Sequence, residues 1–384
     1  MSASDKIRLG MIGGGQGAFI GDVHRMAARL DNRYELVAGA LSSDPKRASD
    51  SALELGIADD RSYSSFEHMA ELEAARDDGI EAAIIVTPNH LHFAPAKAML
   101  KAGIHVICDK PLTSSLDQAE DLEQLVQQSG LLFAVTYNYS AYPMVRQARE
   151  MIAAGELGGI RLVQVEYPQD WLASNIEASG QKQAAWRTDP AQAGMGGSIG
   201  DIGTHAFHLA EFVSGLEASS LLADLSAFGQ GRVLDDNAQI LLRYGNGARG
   251  SLWASQIACG HENGLRIRIY GEKAGLEWFQ EEPNQLIFMP LAQPKQIITR
   301  GSPAAGASAN LASRIPAGHP EGFLEGFANL YREFADLVIN RREGGDADIG
   351  TGLIPTITDG VKGVRFIEKA VASSKSGGVW QSLD

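Results

Sequence analysis

The sequence predicts an α/β fold: a doubly wound parallel sheet, then an α+β domain built on a large, mostly antiparallel open sheet. Three observations carry this expectation. Apolar runs alternate with amphipathic stretches through the first third of the chain, and a glycine cluster separates the first run from the first helix. After residue 160, strand-like runs follow one another with few helices between them. A chain of 384 residues is longer than one hydrophobic core usually organises. The pattern divides it into domains of residues 1–136 and 137–384.

The elements follow in order. Residues 6–12 form a β-rich run that ends in GGGQGAFIG, and residues 19–30 place apolar side chains at helical spacing. YELVAGAL (34–41) reads as a second buried strand. Helices are expected at 44–55, 92–102 and 115–128, with strands at 82–86, 105–108 and 131–136. Ser114 and Ser115, with Asp117 and Gln118 three residues on, offer side-chain caps for the helix at 115–128. Strands expected beyond this point are 160–167, 220–228, 238–244, 248–256 and 265–270, with Gly245-Asn246-Gly247 as a hairpin turn. A helix at 199–213 would cover one face of that sheet. Residues 304–313 read as a small-residue loop, 320–340 as a long helix, and 360–374 as a C-terminal helix packing back.

Composition excludes several classes. With 33 Lys and Arg against 47 Asp and Glu, the formal charge is −14. No basic face for a phosphate backbone is visible, so nucleic acid is not an expected partner. No stretch approaches 18 uninterrupted apolar residues, and the first residues lack a signal-like apolar core, so no membrane partner is expected. The two cysteines, Cys108 and Cys259, make no metal spacing, and a reduced cytoplasmic location is the expectation.

Glycine is abundant, 43 of 384 residues, and five of them (Gly13, Gly14, Gly15, Gly17 and Gly21) fall where the first strand turns into the first helix. Gly13, Gly15 and Ala18 fit G-x-G-x-x-G/A, with Gln16 and Gly17 inside the motif. In this strand–loop–helix setting the pattern marks a Rossmann dinucleotide site, because backbone must approach the pyrophosphate closely and the helix N-terminus offers it free N–H groups. The second strand ends at Ser42-Ser43 where an NAD site usually carries a carboxylate, with Arg47 one turn into the next helix. The cofactor is therefore NAD or NADP with a lean to NADP, although Asp44 offers NAD an alternative through a shifted loop.

Lys110 follows a parallel strand at its carboxyl end, where open α/β sheets bind ligands. Pro111 keeps it extended. An amine there can polarise a hydroxyl or carbonyl oxygen. Asp201 and His205 are four apart, so on a helix they share a face, and a carboxylate beside an imidazole is what general acid–base catalysis wants.

The run Cys108-Asp109-Lys110-Pro111 resembles the E-K-P motif of the glucose–fructose oxidoreductase/inositol dehydrogenase/rhizopine-catabolism (Gfo/Idh/MocA) oxidoreductases, with Asp109 for the usual Glu. Thr87-Pro88-Asn89-His90-Leu91-His92 resembles that family's T-P-x-x-x-H segment beside the nicotinamide. Gly196-Gly197-Ser198-Ile199-Gly200-Asp201-Ile202-Gly203-Thr204-His205 is similar to its G-G-x-x-x-D-x-G-x-H motif. The resemblance implies Lys110, Asp201 and His205 as the catalytic trio, and Thr87, Pro88, Asn89, His92, Asp109 and Lys110 along the cofactor. It also implies substrate contacts from Tyr137-Asn138 and from Trp186-Arg187, which resembles the family's W-R-x-D-P-x-x-A-G segment. His208 stands where many relatives have Asp, and its role and that of Gly318-His319-Pro320-Glu321 stay open.

A metal reading of Asp201, His205 and His208, with His90 and His92, lacks a thiolate set or a carboxylate-rich surround, and no metal is expected. The implied function is NAD(P)-dependent oxidation of a secondary alcohol of a sugar, sugar derivative or cyclitol to a ketone, or the reverse. The alternatives are a dehydrogenase or reductase of a non-carbohydrate diol, and a non-catalytic NAD(P)-sensing regulator. A homodimer or homotetramer through the open sheet face is expected.

Overall fold

The computed structural model describes residues 6–179, 182–345 and 352–384. The chain forms two compact units. One comprises the residues up to Asn138 together with Phe327–Val361, and the other Tyr139–Gly326 with Lys362–Asp384.

The first unit runs β1 (Ile7–Gly13), α1 (Phe19–Leu30), β2 (Tyr34–Ala40), α2 (Pro45–Leu55), α3 (Phe66–Ala74), β3 (Ala82–Val86), α4 (Phe93–Lys101), β4 (His105–Cys108), α5 (Leu116–Ser129) and β5 (Phe133–Val135). The five strands lie in the order β2-β1-β3-β4-β5, and every pair is parallel. β1 has β2 on one side and β3 on the other. The chain therefore winds one way and then the other from the carboxyl end of β1, the position at which such sheets hold ligands. Central strands are covered on both faces, and all five residues of β3 are buried.

Two local readings of this unit are corrected. No helix was expected at α3, whose apolar pattern is sparse; it buries Glu73, which pairs with Arg61 and accepts from Tyr63 Oη at 2.7 Å and Ile80 N at 3.0 Å. Ser115 is the N-cap of α5, yet its side chain makes no capping bond. Thr113 Oγ1 instead donates to the Ser115 carbonyl at 2.7 Å.

The second unit contains α6 (Pro143–Ala153), β6 (Ile160–Pro168), α7 (Lys182–Arg187), α8 (Pro190–Ala193), α9 (Thr204–Ser214), β7 (Ala218–Ser226), β8 (Asn237–Tyr244), β9 (Arg249–Ser255), β10 (Arg266–Gly271), β11 (Ala274–Phe279), β12 (Gln285–Pro290), β13 (Gln296–Thr299) and α10 (Ala307–Leu311). Along the chain α11 (Phe323–Arg342), most of which belongs to the first unit, and α12 (Ile357–Lys375), whose first turn does, come next, then β14 (Gln381–Ser382). Nine strands form one sheet in the order β13-β12-β11-β10-β6-β9-β8-β7-β14. It is antiparallel except between β6 and β9.

β8 shows why the sheet has two different faces: Ala238, Ile240, Leu242 and Tyr244 are buried, while Gln239, Leu241 and Arg243 alternate with them and are exposed. The β8–β9 hairpin turns at Gly245-Asn246-Gly247, with Gly247 at φ +91 and its N–H donating to the Tyr244 carbonyl at 3.0 Å. Helices α6 and α9 pack on one face. In this unit Phe366 of α12 stacks on Phe207 of α9, with ring centroids 4.2 Å apart. The other face carries ion pairs such as Arg268–Glu166 (3.1 Å) and the exposed Leu162, Leu241 and Ile297.

β11, β12 and β13 were not expected. Their alternation is interrupted by Glu-Glu-Pro-Asn and by Gln-Pro-Lys, which hide short strands between turn residues. The polar stretch 170–194 reads as a loop in the sequence, whereas its described residues include α7 and α8; residues 180–181 lie outside the described residues. The expected loop at 304–313 likewise contains α10. Among the described residues no helix is long and apolar enough to cross a membrane.

Candidate active site

The β1–α1 turn is shaped by backbone. Gly13, Gly14 and Gly17 have φ of +78, +72 and +77, a region other residues avoid. A Cβ at Gly15 would meet the Leu41 carbonyl oxygen at 2.7 Å, and one at Gly21 would lie 2.5 Å from Gly14 Cα. The first helix therefore packs directly on the loop through Gly21. A Cβ at Gly17 would meet nothing within 4 Å, which leaves the loop's outer side open to a ligand. Ala18 is the N-cap of α1 and has no side-chain cap, so the first-turn N–H groups face outward unclaimed by a side chain. These features fit a dinucleotide pyrophosphate.

Gln16 turns away from the loop, its amide donating to Glu54 Oε1 at 2.7 Å and its N–H to Ser51 Oγ at 3.0 Å. Ser42 Oγ accepts from Asp44 N at 3.1 Å, and Asp44 Oδ1 caps α2 by accepting from Arg47 N at 2.8 Å. Ser43 and Arg47 are exposed. Thr87 Oγ1 donates to the Leu91 carbonyl at 3.0 Å, holding the turn that contains Pro88 and the buried Asn89. His92 is buried and meets main chain with both ring nitrogens.

Asp109 and Lys110 are half-buried just beyond β4, and the Lys110–Pro111 peptide is cis. Asp109 N donates to the Ile85 carbonyl at 3.0 Å, and Thr136 Oγ1 donates to Asp109 Oδ1 at 2.6 Å. His24 is also buried here: its Nδ1 lies 2.7 Å from Tyr331 Oη and its Nε2 3.9 Å from Asp109 Oδ1. Burial pushes the His24 imidazole down to a pKa of about 4 against the opposing pull of Asp109. The ring is thus neutral at pH 7. Tyr137 and Asn138 are buried at the end of this unit's N-terminal stretch.

In the second unit the glycine-rich segment 196–203 leads into α9. Gly197 N, Ile199 N and Ser198 Oγ all donate to the Asp235 carboxylate, at 2.7, 2.8 and 2.6 Å. Ile199–Gly203 then forms a wider π-turn, with Asp201 inside it and His205 in the first turn of α9. Asp201 is held by side chains: Gln256 Nε2 donates to its Oδ2 at 2.8 Å, and Arg187 Nε lies 3.2 Å from the same oxygen. The Arg187 guanidinium sits over Trp186 (4.3 Å) and near Trp171 (6.0 Å).

His205 is buried against aromatic rings. Tyr139 meets it edge-on with centroids 4.9 Å apart, and Tyr167 lies at 6.5 Å. Tyr139 Oη and Tyr167 Oη are 2.6 Å apart, and Tyr167 Oη donates to Asn263 Oδ1 at 2.7 Å. Burial raises the pKa of both phenols, so they stay neutral donors. His208 is buried and stacks on Phe212. Glu321 accepts from Arg314 N and Ile315 N and pairs with Arg300 at 3.0 Å, so it braces its own loop. Among the described residues no three His, Cys, Asp or Glu side chains converge as a metal site.

Sequence reasoning missed Asp235, Gln256, Tyr139, Tyr167 and Asn263. Their roles come from contacts between segments far apart in the chain, 55 residues in the case of Gln256 and Asp201. Only Asp235-Asp236, an acidic pair opening an apolar strand, left a local signal.

Residues 7–137 match the family description "Oxidoreductase family, NAD-binding Rossmann fold", and residues 145–277 match "GFO/IDH/MocA C-terminal domain". The chain belongs to the Gfo/Idh/MocA oxidoreductases. It is an NAD(P)-binding oxidoreductase of that family, and its first unit is the NAD-binding Rossmann domain. An oxidoreductase from Sinorhizobium meliloti is 53% identical, with a TM-score of 0.88 over 98% of this chain and 99% of that one. An inositol dehydrogenase homolog from Azotobacter vinelandii, complexed with NADH and myo-inositol, is 39% identical, with a TM-score of 0.91 over 99% and 98%. Levoglucosan dehydrogenase of Pseudarthrobacter phenanthrenivorans is 28% identical over 73% of this chain and 75% of its own length.

Proposed function

We propose that this family member is an NAD(P)-dependent dehydrogenase that converts a secondary alcohol of a sugar, sugar derivative or cyclitol to a ketone, or runs the reverse. The observation that carries the reading is the Asp201 site. A carboxylate pinned on one oxygen by Gln256 and Arg187 stands four residues from a histidine set in a wall of tyrosines. Flat indoles at Trp171 and Trp186 beside hydrogen-bonding groups suit a ring that is apolar on its faces and hydroxylated at its edge. The relatives crystallised or named with myo-inositol and levoglucosan support the same substrate class.

His205 takes the proton from the reacting hydroxyl, Lys110 orients and polarises its oxygen, and Asp201 binds a neighbouring hydroxyl. The nicotinamide of the bound cofactor supplies the hydride-accepting carbon. Water exclusion at His205 comes from Tyr139 and Tyr167, whose hydroxyls bond to each other and to Asn263 rather than to the imidazole. For the adenosine end, the Asp44 carboxylate caps α2 while Ser42 lies just past β2 and Arg47 is exposed in the first turn of α2, an arrangement that supports NADP. A screen of NAD+ and NADP+ reduction across hexoses, inositols, anhydrosugars and aromatic diols tests the reading. Reduction with a polyol is the expected result, and cofactor binding with no turnover on any of them would sink it.

A further inference from the structure

His92 belongs to the segment that sequence reasoning placed beside the cofactor, but its surroundings give it a different task. The ring is 1% exposed. Nδ1 lies 2.8 Å from the Pro111 carbonyl oxygen, and Nε2 lies 2.8 Å from the Thr87 carbonyl oxygen. A neutral ring donates to one of these carbonyls and a protonated ring to both. In either state both nitrogens face main chain, so neither is turned toward a ligand.

The place of this contact in the sheet explains its use. The β3–β4 ladder ends at Ile85 paired with Cys108, and Asp109 N donating to Ile85 O is the last main-chain link. Beyond it the two strand continuations separate, one into Thr87-Pro88-Asn89 and the other into Lys110-Pro111. His92, the N-cap of α4, spans that gap. With a proton on Nδ1, Lys110 is held from two sides: the ladder fixes the peptide before it, and the imidazole donates to the Pro111 carbonyl after it.

We propose that His92 is a positioning residue for Lys110, clasping the strand that carries the lysine to the strand that carries Thr87, rather than a cofactor ligand. The proposal rests on Lys110 taking part in catalysis. His92 acts by holding the lysine's main chain at a fixed height above β4, so that the side chain starts from a fixed origin relative to the substrate oxygen.

The test is a double-mutant cycle with two readouts besides activity. His92→Ala and His92→Gln are made alone and on Lys110→Ala, and each is titrated with NADH and NADPH by fluorescence. In the wild-type protein, the ring ¹⁵N signals of His92 are followed as cofactor is added. The clasp predicts a fall in kcat of about tenfold or more in His92→Ala, cofactor affinity within about threefold of wild type, and no further loss when His92→Ala is added to Lys110→Ala. It also predicts ring ¹⁵N signals that stay put on cofactor binding, a measurement that stands even if the alanine variant fails to fold. A large ¹⁵N shift on cofactor binding, or a His92→Ala loss that multiplies undiminished onto Lys110→Ala, overturns the clasp. Wild-type turnover in Lys110→Ala alone would instead remove the catalytic reading beneath it.

Discussion

Gln256 and Asp201 are joined by a hydrogen bond of 2.8 Å from the Gln256 amide to Asp201 Oδ2, the oxygen that Arg187 Nε also approaches. A strand end thus fixes the orientation of a carboxylate carried on a π-turn 55 residues earlier. Removing that donor takes away one of the groups that orient Asp201, beside Arg187, whose own side chain is partly exposed. Gln256→Leu is therefore expected to lower kcat/KM for the polyol by about tenfold to a hundredfold, the equivalent of one hydrogen bond to a charged group. Cofactor affinity, governed by the other unit, should stay within about threefold. Steady-state kinetics and a fluorescence titration check both halves.

Asp235 holds the start of the same segment through three donors on one carboxylate. Replacing it with alanine strands two N–H groups and a hydroxyl at a helix start, at a cost of about 2–4 kcal/mol. Urea unfolding of Asp235→Ala should show this loss, with Asp235→Asn retaining part of it. An unchanged midpoint would mean that water replaces the carboxylate.

How far the site could be read from sequence follows from where its parts come from. The glycine turn, the strand ending at Cys108 and the Asp201–His205 spacing are local patterns, each fixed by a turn or one period of a helix, and they stand out in the chain. The tightest loop–helix contact runs through Gly21, because helix packing depends on which face of α1 meets Gly14. The resemblance places His92 along the cofactor; that its ring nitrogens meet the Thr87 and Pro111 carbonyls depends on how β3 and β4 end side by side, which no spacing records. Gln256 and Tyr167 reach the site through strand pairing, and Asn263 through the loop between β9 and β10. The strands β11–β13 went unseen because turn residues break their alternation.

The adenosine end of the cofactor site gives a sharper test. If Ser42 and Arg47 receive a 2′-phosphate, Arg47→Ala should weaken NADPH binding by about tenfold, the loss of a charged hydrogen bond, and leave NADH nearly unchanged. Equal effects on the two cofactors would favour NAD and the shifted-loop use of Asp44. Parallel fluorescence titrations at one ionic strength distinguish these outcomes.

His24 links the fold to pH. Its folded pKa, pushed down by burial to about 4, lies below the ordinary value of 6.5. The unfolded chain therefore binds a proton that the folded chain refuses, so the stability His24 allows is fully present above pH 6.5. It is lost progressively as pH falls toward 4, by roughly 3 kcal/mol for this group. Burial lowers His105 in the same way, also to about 4, and adds to the slope. Denaturant unfolding between pH 7 and pH 4 should show this decline, and His24→Gln should flatten part of it.

The central claim is that Lys110 and His205 do the chemistry on a polyol while the glycine turn binds the cofactor. Its most direct test is turnover of Lys110→Ala and His205→Ala on the substrate found by the cofactor-reduction screen, with NAD(P)H affinity measured on the same samples. The account predicts a loss in kcat of at least about a hundredfold in each variant, the scale of general acid–base catalysis, with cofactor affinity within about threefold of wild type. Wild-type turnover in both variants would contradict it.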